Sequence, residues 1–133
     1  MTIIAAIDDH NGMLFNHRRQ SRDRALTARV TELARGHTLR MSPYSAPLFP
    51  EEESIAVSDD FLSLAGEDDF CFVETADLLP YADRITHLIL CRWNRDYPAD
   101  TFFPLAVEDW QKLRTEEFPG SSHECITLEE YVP

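Results

Sequence analysis

Two short apolar runs constrain this chain more than any other feature. Thr2–Ile7 reads Thr-Ile-Ile-Ala-Ala-Ile, and residues 70–73 read Phe-Cys-Phe-Val. Both are of strand length, and neither alternates with polar residues. Such runs form strands covered on both faces, as in a parallel sheet flanked by helices. Residues 84–93 are the longest β-rich segment, through Ile85, Leu88, Ile89 and Leu90, and residues 38–41 and 54–57 supply shorter strands. Between them, Ser21 can cap a helix that runs to about Arg35, with Leu26, Val30, Leu33 and Ala34 on one face and Gly36 as its stop. Residues 59–65 predict a second, short helix capped by Ser58 or Asp59, and residues 75–82 a third that Pro80 keeps short. Residues 8–20 read as a polar loop, and residues 42–50, with three prolines, as irregular. Residues 111–118 and 123–131, joined by Pro119-Gly120-Ser121-Ser122, predict an antiparallel hairpin. Strand and helix alternate, then strands follow alone. The expectation is one α/β domain over residues 1–133: strands 2–7, 38–41 and 70–73 mutually parallel, 84–93 in the same sheet, and a C-terminal antiparallel hairpin at its edge.

Charge narrows the function classes. The chain carries 24 acids against 12 Lys plus Arg, a net charge of −12, unevenly spread. Residues 1–41 hold seven Arg and four acids, a net of +3, whereas residues 42–133 hold five basic residues and twenty acids, a net of −15. Extended nucleic acid needs a broad basic face, which this distribution denies. The acidic part reads as a solvated surface or a docking face for a basic protein. No apolar run reaches the roughly 18 residues of a membrane span, and the first apolar run ends at Asp8-Asp9, so neither a membrane protein nor a secretory leader is expected and the protein is read as cytoplasmic. Cys71, Cys91 and Cys125 are odd in number and lie in strand-like segments, as free thiols do, and the five histidines have no HxH or HExxH spacing, so no metal is expected.

The most distinctive local feature is Asn16-His17-Arg18-Arg19-Gln20-Ser21-Arg22-Asp23-Arg24. Four guanidinium groups gather there at the start of a helix whose free N–H groups also attract anions. His17, Arg18, Arg19, Ser21, Arg22 and Arg24 are therefore the candidate anion-binding residues; Asp23 reads first as a first-turn carboxylate that complements the helix dipole, with a candidate acid as the alternative.

Leu79-Pro80-Tyr81-Ala82, the strand after it, and Ala99-Asp100-Thr101-Phe102-Phe103-Pro104 resemble the stretch of dihydrofolate reductase in which LP-x-A, a strand and a GDTxFP turn follow one another. Ile3-Ile4-Ala5-Ala6 resembles that family's first strand, Asn11-Gly12-Met13 its first loop, and Glu108-Asp109-Trp110 with the closing hairpin its C-terminal part. The resemblance implies the reductase fold. It implies NADPH held by a glycine-rich turn after a central strand, and a pterin held by a buried carboxylate at the start of the first helix with a Thr from a later strand.

The residues depart from that chemistry. The turn after residues 70–73 is Glu74-Thr75-Ala76, without glycine and with a negative charge where phosphate belongs. In the Ser42-Pro43-Tyr44-Ser45 loop only Ser45 could replace a phosphate ligand. Alignment from Leu79-Pro80 puts Leu88 at the Thr position. Counting puts Leu26 or Arg24 at the acid, and Asp23 matches only when the gap moves by one residue. The opening segment also resembles small uncharacterised bacterial proteins sometimes labelled ribonuclease Z, but that enzyme's HxHxDH metal motif is missing. The expectation is a degenerate reductase-like scaffold serving as a non-catalytic binding module for a small anion or a basic protein, its cofactor, if any, unidentified. An NADPH-dependent reductase of a pterin-like substrate and a metal-independent ribonuclease using His17 beside Arg18 and Arg19 are the alternatives.

Overall fold

The computed structural model describes residues 1–75 and 77–133. Its main sheet has seven strands: β1 (Thr2–Ile7), β4 (Leu39–Met41), β5 (Ile55–Val57), β6 (Phe70–Phe72), β7 (His87–Arg92), β9 (Gln111–Phe118) and β10 (Ile126–Val132). Their spatial order is β5-β4-β6-β1-β7-β10-β9. Pairing is parallel from β5 through β7 and antiparallel at β7–β10 and β10–β9. The apolar runs dictate this order, because β1, β6 and β7 are the most apolar strands and lie at the centre, where both faces are covered.

Alternation along β1 separates two cores. Ile3, Ala5 and Ile7 point to one face, with Cys71, Val73, Leu88 and Leu90, beneath the short helix α2 (Phe61–Leu64) and the 3-10 turn Leu79–Arg84. Ile4 points to the other, with Phe72, Ile89, Cys91, Trp93, Ile126 and Leu128, beneath helix α1 (Arg24–Leu33). Helix α1 buries Leu26 and Val30 there, four residues apart and so on one face. It ends before Gly36, whose φ of 86° is left-handed and free of steric cost only without a side chain.

Several expectations need correction. Helix α1 is capped by Asp23 rather than by Ser21, and α2 follows Asp60, which makes no side-chain cap; Ser58 instead accepts the Asp60 N–H. The polar loop of residues 8–20 holds a hairpin: β2 (Gly12–Phe15) and β3 (Arg18–Arg19) pair antiparallel, and β8 (Thr101–Phe102) joins them in a three-stranded sheet. Asn16 and His17 link β2 to β3 with φ of 51° and 62°, the double left-handed conformation of a two-residue type I′ hairpin turn. The third expected helix is a 3-10 turn that begins at Leu79, and Ala76 of the expected span lies outside the described residues. Among the described residues no helix is long and apolar enough to cross a membrane.

Candidate functional site

The candidate segment runs from the hairpin turn to the start of α1, and Asp23 organises its far end. As the helix cap, Asp23 accepts through Oδ1 from the backbone N–H groups of Ala25 and Leu26, at 2.9 and 3.3 Å. The same carboxylate ties down the loop between β9 and β10. The Ser121 N–H reaches Oδ1 at 2.9 Å, the N–H groups of Ser122 and His123 reach Oδ2 at 2.8 and 3.1 Å, and His123 Nδ1 lies 2.9 Å from Oδ2. Gly120 makes this approach possible, since a Cβ there would stand 2.6 Å from Asp23 Oδ2 and 2.5 Å from the His123 carbonyl oxygen. Burial pushes the carboxyl toward its neutral form. Hydrogen bonds from Ser121, His123 and Ser122 outweigh it, and Asp23 is held well below the ordinary carboxylate range. With donors on both oxygens and the side chain wholly buried, Asp23 is a fixed anion and has no free lone pair aimed at solvent.

His123 is the residue that sequence reasoning missed. Its ring stacks on Trp93 at 4.5 Å between centroids, and its Nε2 faces Tyr97 Oη at 2.8 Å and Ser21 Oγ at 3.2 Å. No local pattern links positions 21, 23, 97 and 123. The Pro-Gly-Ser-Ser run before His123 signalled only a turn.

A second buried carboxylate shapes the other end. Asp8 accepts from the N–H groups of His10, Gly12 and Tyr97 and from Gln20 Nε2, so it binds the first loop to the candidate segment. Burial again works to raise its pKa, and these hydrogen bonds prevail and lower it.

The four arginines separate. Arg19 turns inward and pairs bidentately with Glu74, Nε to Oε2 at 2.8 Å and Nη2 to Oε1 at 3.0 Å, while its guanidinium lies 4.3 Å from the centre of the Tyr44 ring. The buried Ser45 donates to Glu74 Oε1 at 2.8 Å. Ser45 and Glu74, the two positions that the resemblance assigns to cofactor phosphate, are thus joined to each other and to Arg19. Arg18, Arg22 and Arg24 are exposed and have no carboxylate partner among the described residues. Arg22 and Arg24 line a cleft of about 610 Å³ with Asp23, Thr27, Pro47, Leu48, Ser121 and Ser122. Arg18 lines another, of about 510 Å³, with Arg19, Gln20, Phe15, Tyr97 and Pro98. His17 is exposed at the hairpin tip and lines neither cleft itself, although its neighbours Asn16 and Arg18 line the second.

Leu88 is fully buried in the core beneath α2, on the face of the sheet opposite α1. Period-two alternation accounts for this, and Ile89, Cys91 and Trp93 are the side chains that β7 and the residue after it turn toward α1. Among the described residues no three His, Cys, Asp or Glu side chains gather as a metal site requires.

A mostly parallel sheet with α1 on one face and a C-terminal antiparallel hairpin defines a dihydrofolate reductase-like fold. The solved dihydrofolate reductase from Enterococcus faecalis, complexed with NADP(H) and RAB-propyl, is similar to this chain with a TM-score of 0.67, covering 99% of this chain and 95% of that one. Identity over that match is 13%, so the likeness is one of fold. No protein-family model matches the chain, and no curated protein does.

Proposed function

We propose that this chain uses the reductase-like fold as a binding protein for a small anion, seated between the start of α1, the Pro47-Leu48 turn and the Ser121-Ser122 loop. One observation carries the reading. In a chain with twice as many acids as bases, Arg22 and Arg24 face one cleft without a carboxylate partner among the described residues, beside the hydroxyls of Thr27, Ser121 and Ser122. An uncommitted guanidinium on a negative background creates the local positive potential that draws an anion, and its planar donors suit phosphate or carboxylate. Pro47 and Leu48 give the cleft an apolar wall, which favours a ligand with a short apolar body next to its charge.

The same reading leaves out nicotinamide-dependent reduction. Glu74 presents its carboxylate at the turn where cofactor phosphate would lie, and its bond to Arg19 removes the nearest compensating cation. A phosphate there would meet a carboxylate that already engages the nearby donors, Arg19 and Ser45.

Titration with phosphate, pyrophosphate and a mononucleotide, followed by amide shifts in NMR, tests both parts. We expect shifts confined to residues 22–27 and 121–122, a Kd in the micromolar to millimolar range, about −8 to −4 kcal/mol, and their loss in Arg22→Ala/Arg24→Ala. NADPH should produce no larger effect than the mononucleotide. Absence of localised shifts at millimolar ligand, or the same shifts in the double variant, rules the anion site out.

A further inference from the structure

We propose that Ser21, His123 and Asp23 form a nucleophilic serine relay that hydrolyses small carboxylic esters at the ridge between the two clefts. Asp23 Oδ2 lies 2.9 Å from His123 Nδ1, and His123 Nε2 lies 3.2 Å from Ser21 Oγ. Asp23 accepts only, so the proton on that side of the ring belongs to Nδ1, and Nε2 is left with its lone pair directed at the hydroxyl. Those are the roles of orienting carboxylate, general base and nucleophile. Burial follows the same order: the side chains of Asp23 and His123 are 0% and 2% exposed, whereas Ser21 is half-buried and open to solvent.

One further feature fits catalysis better than a packing role. Ser21 Oγ has no hydrogen-bond partner among the described residues besides His123, although its neighbours have dense networks. Tyr97 Oη also faces Nε2, at the shorter distance of 2.8 Å, so Ser21 must take the lone pair from Tyr97 when it reacts. The ring itself is fixed by its stack on Trp93, which sets the direction of Nε2. Ser21 lies between Gln20 and Arg22, residues of the two different clefts, and Tyr97 lines the cleft that Arg18 shares. Ser21 itself lines neither cleft, so the ester would lie across the chain segment that joins them, its negative charge on Arg18 or Arg22.

The step balances without an outside oxidant or reductant. Ser21 Oγ bonds to the ester carbonyl carbon, the Oγ proton moves to Nε2, and the ester C–O bond breaks as the leaving alcohol takes that proton, with Tyr97 Oη placed to pass it outward from the buried ring. Water then attacks the acyl-serine, gives its proton to Nε2, and releases the carboxylic acid as Oγ recovers the proton.

The test stands apart from the anion reading, since Arg22 and Arg24 can hold a ligand whether or not Ser21 reacts. A fluorophosphonate probe is incubated with the full chain, and the adduct is located by intact mass and peptide mass spectrometry. We expect one adduct per chain, on Ser21, absent in Ser21→Ala and formed about 10²-fold more slowly or worse in His123→Gln, the usual loss of a general base. No adduct, an adduct elsewhere, or an unchanged rate in folded His123→Gln overturns the relay. Should His123→Gln fail to fold, the pH profile of wild-type labelling decides. A sigmoidal rise to a plateau supports an imidazole base, and a rate proportional to hydroxide overturns it.

Discussion

At the scale of single residues, Asp23 does more than cap a helix. As N-caps, Asp and Asn are nearly equivalent, because one side-chain oxygen accepting from the first turn is enough. Here the second oxygen accepts from the Ser122 and His123 N–H groups and from His123 Nδ1. Asn presents an NH₂ group on one side, which would face those donors or, flipped, the helix's own. Asp23→Asn is therefore expected to cost about 2 kcal/mol or more, the scale of buried donors left unpaired, as read by urea denaturation. A change below about 0.5 kcal/mol would mean that the cap alone matters. Gly120→Ala should approach the same loss by another route, because its Cβ would force the loop off the carboxylate. None of this was legible in the sequence. Asp23 was visible as a first-turn acid, but the partner that defines its role, His123, lies 100 residues away and acts through tertiary packing.

At the scale of elements, the legible parts were those whose pattern is set by burial on both faces. Continuous apolar runs identify β1 and β6, and spacings of four and three identify α1, because each element's neighbours are supplied by the sheet itself. The β2–β3 hairpin was not legible, since β3 is two arginines long and nothing in Arg18-Arg19 signals a strand. Its turn was readable only in part: Asn16 tolerates positive φ, but His17 in the second position is an uncommon choice where glycine is preferred. This gives an element-scale prediction. His17→Gly should preserve or raise stability by several tenths of a kcal/mol, and His17→Val should lower it by about 1 kcal/mol, because a β-branched residue tolerates left-handed geometry less well than His. Neither should alter the anion titration, because His17 lies at the exposed tip. If His17→Gly abolishes ligand shifts while the fold persists, the tip contacts the ligand.

At the scale of the whole molecule, two electrostatic effects of opposite pH dependence act on the fold. Only six of the 24 acidic side chains pair with Arg or Lys among the described residues, so the surface repels itself at neutral pH. Added salt screens that repulsion over a Debye length of about 8 Å at 0.15 M, and the melting temperature should rise with ionic strength while small-anion affinity falls. Acid acts on a different set. Asp8, Asp23, Asp69, Glu116 and Glu129 all have carboxyl pKa values below their ordinary 3.8 or 4.5. For four of them burial opposes the shift and is overcome by hydrogen bonds, with an arginine partner besides for Asp69 and Glu129; for Glu116 the Arg29 guanidinium is the leading cause. A depressed folded-state pKa contributes stability that is complete above the unfolded-state value and is lost as pH falls through the folded one. Stability should therefore hold level or rise slightly from pH 7 to about 5 as repulsion eases, then fall steadily below about 4.5, where unfolded carboxylates begin to take up protons. Urea denaturation at half-unit steps of pH measures this. The descent should be shallower in Asp23→Asn, which lacks the most depressed of these groups, and a wild type equally stable at pH 5 and pH 3 would mean that the buried carboxylates contribute nothing to the fold.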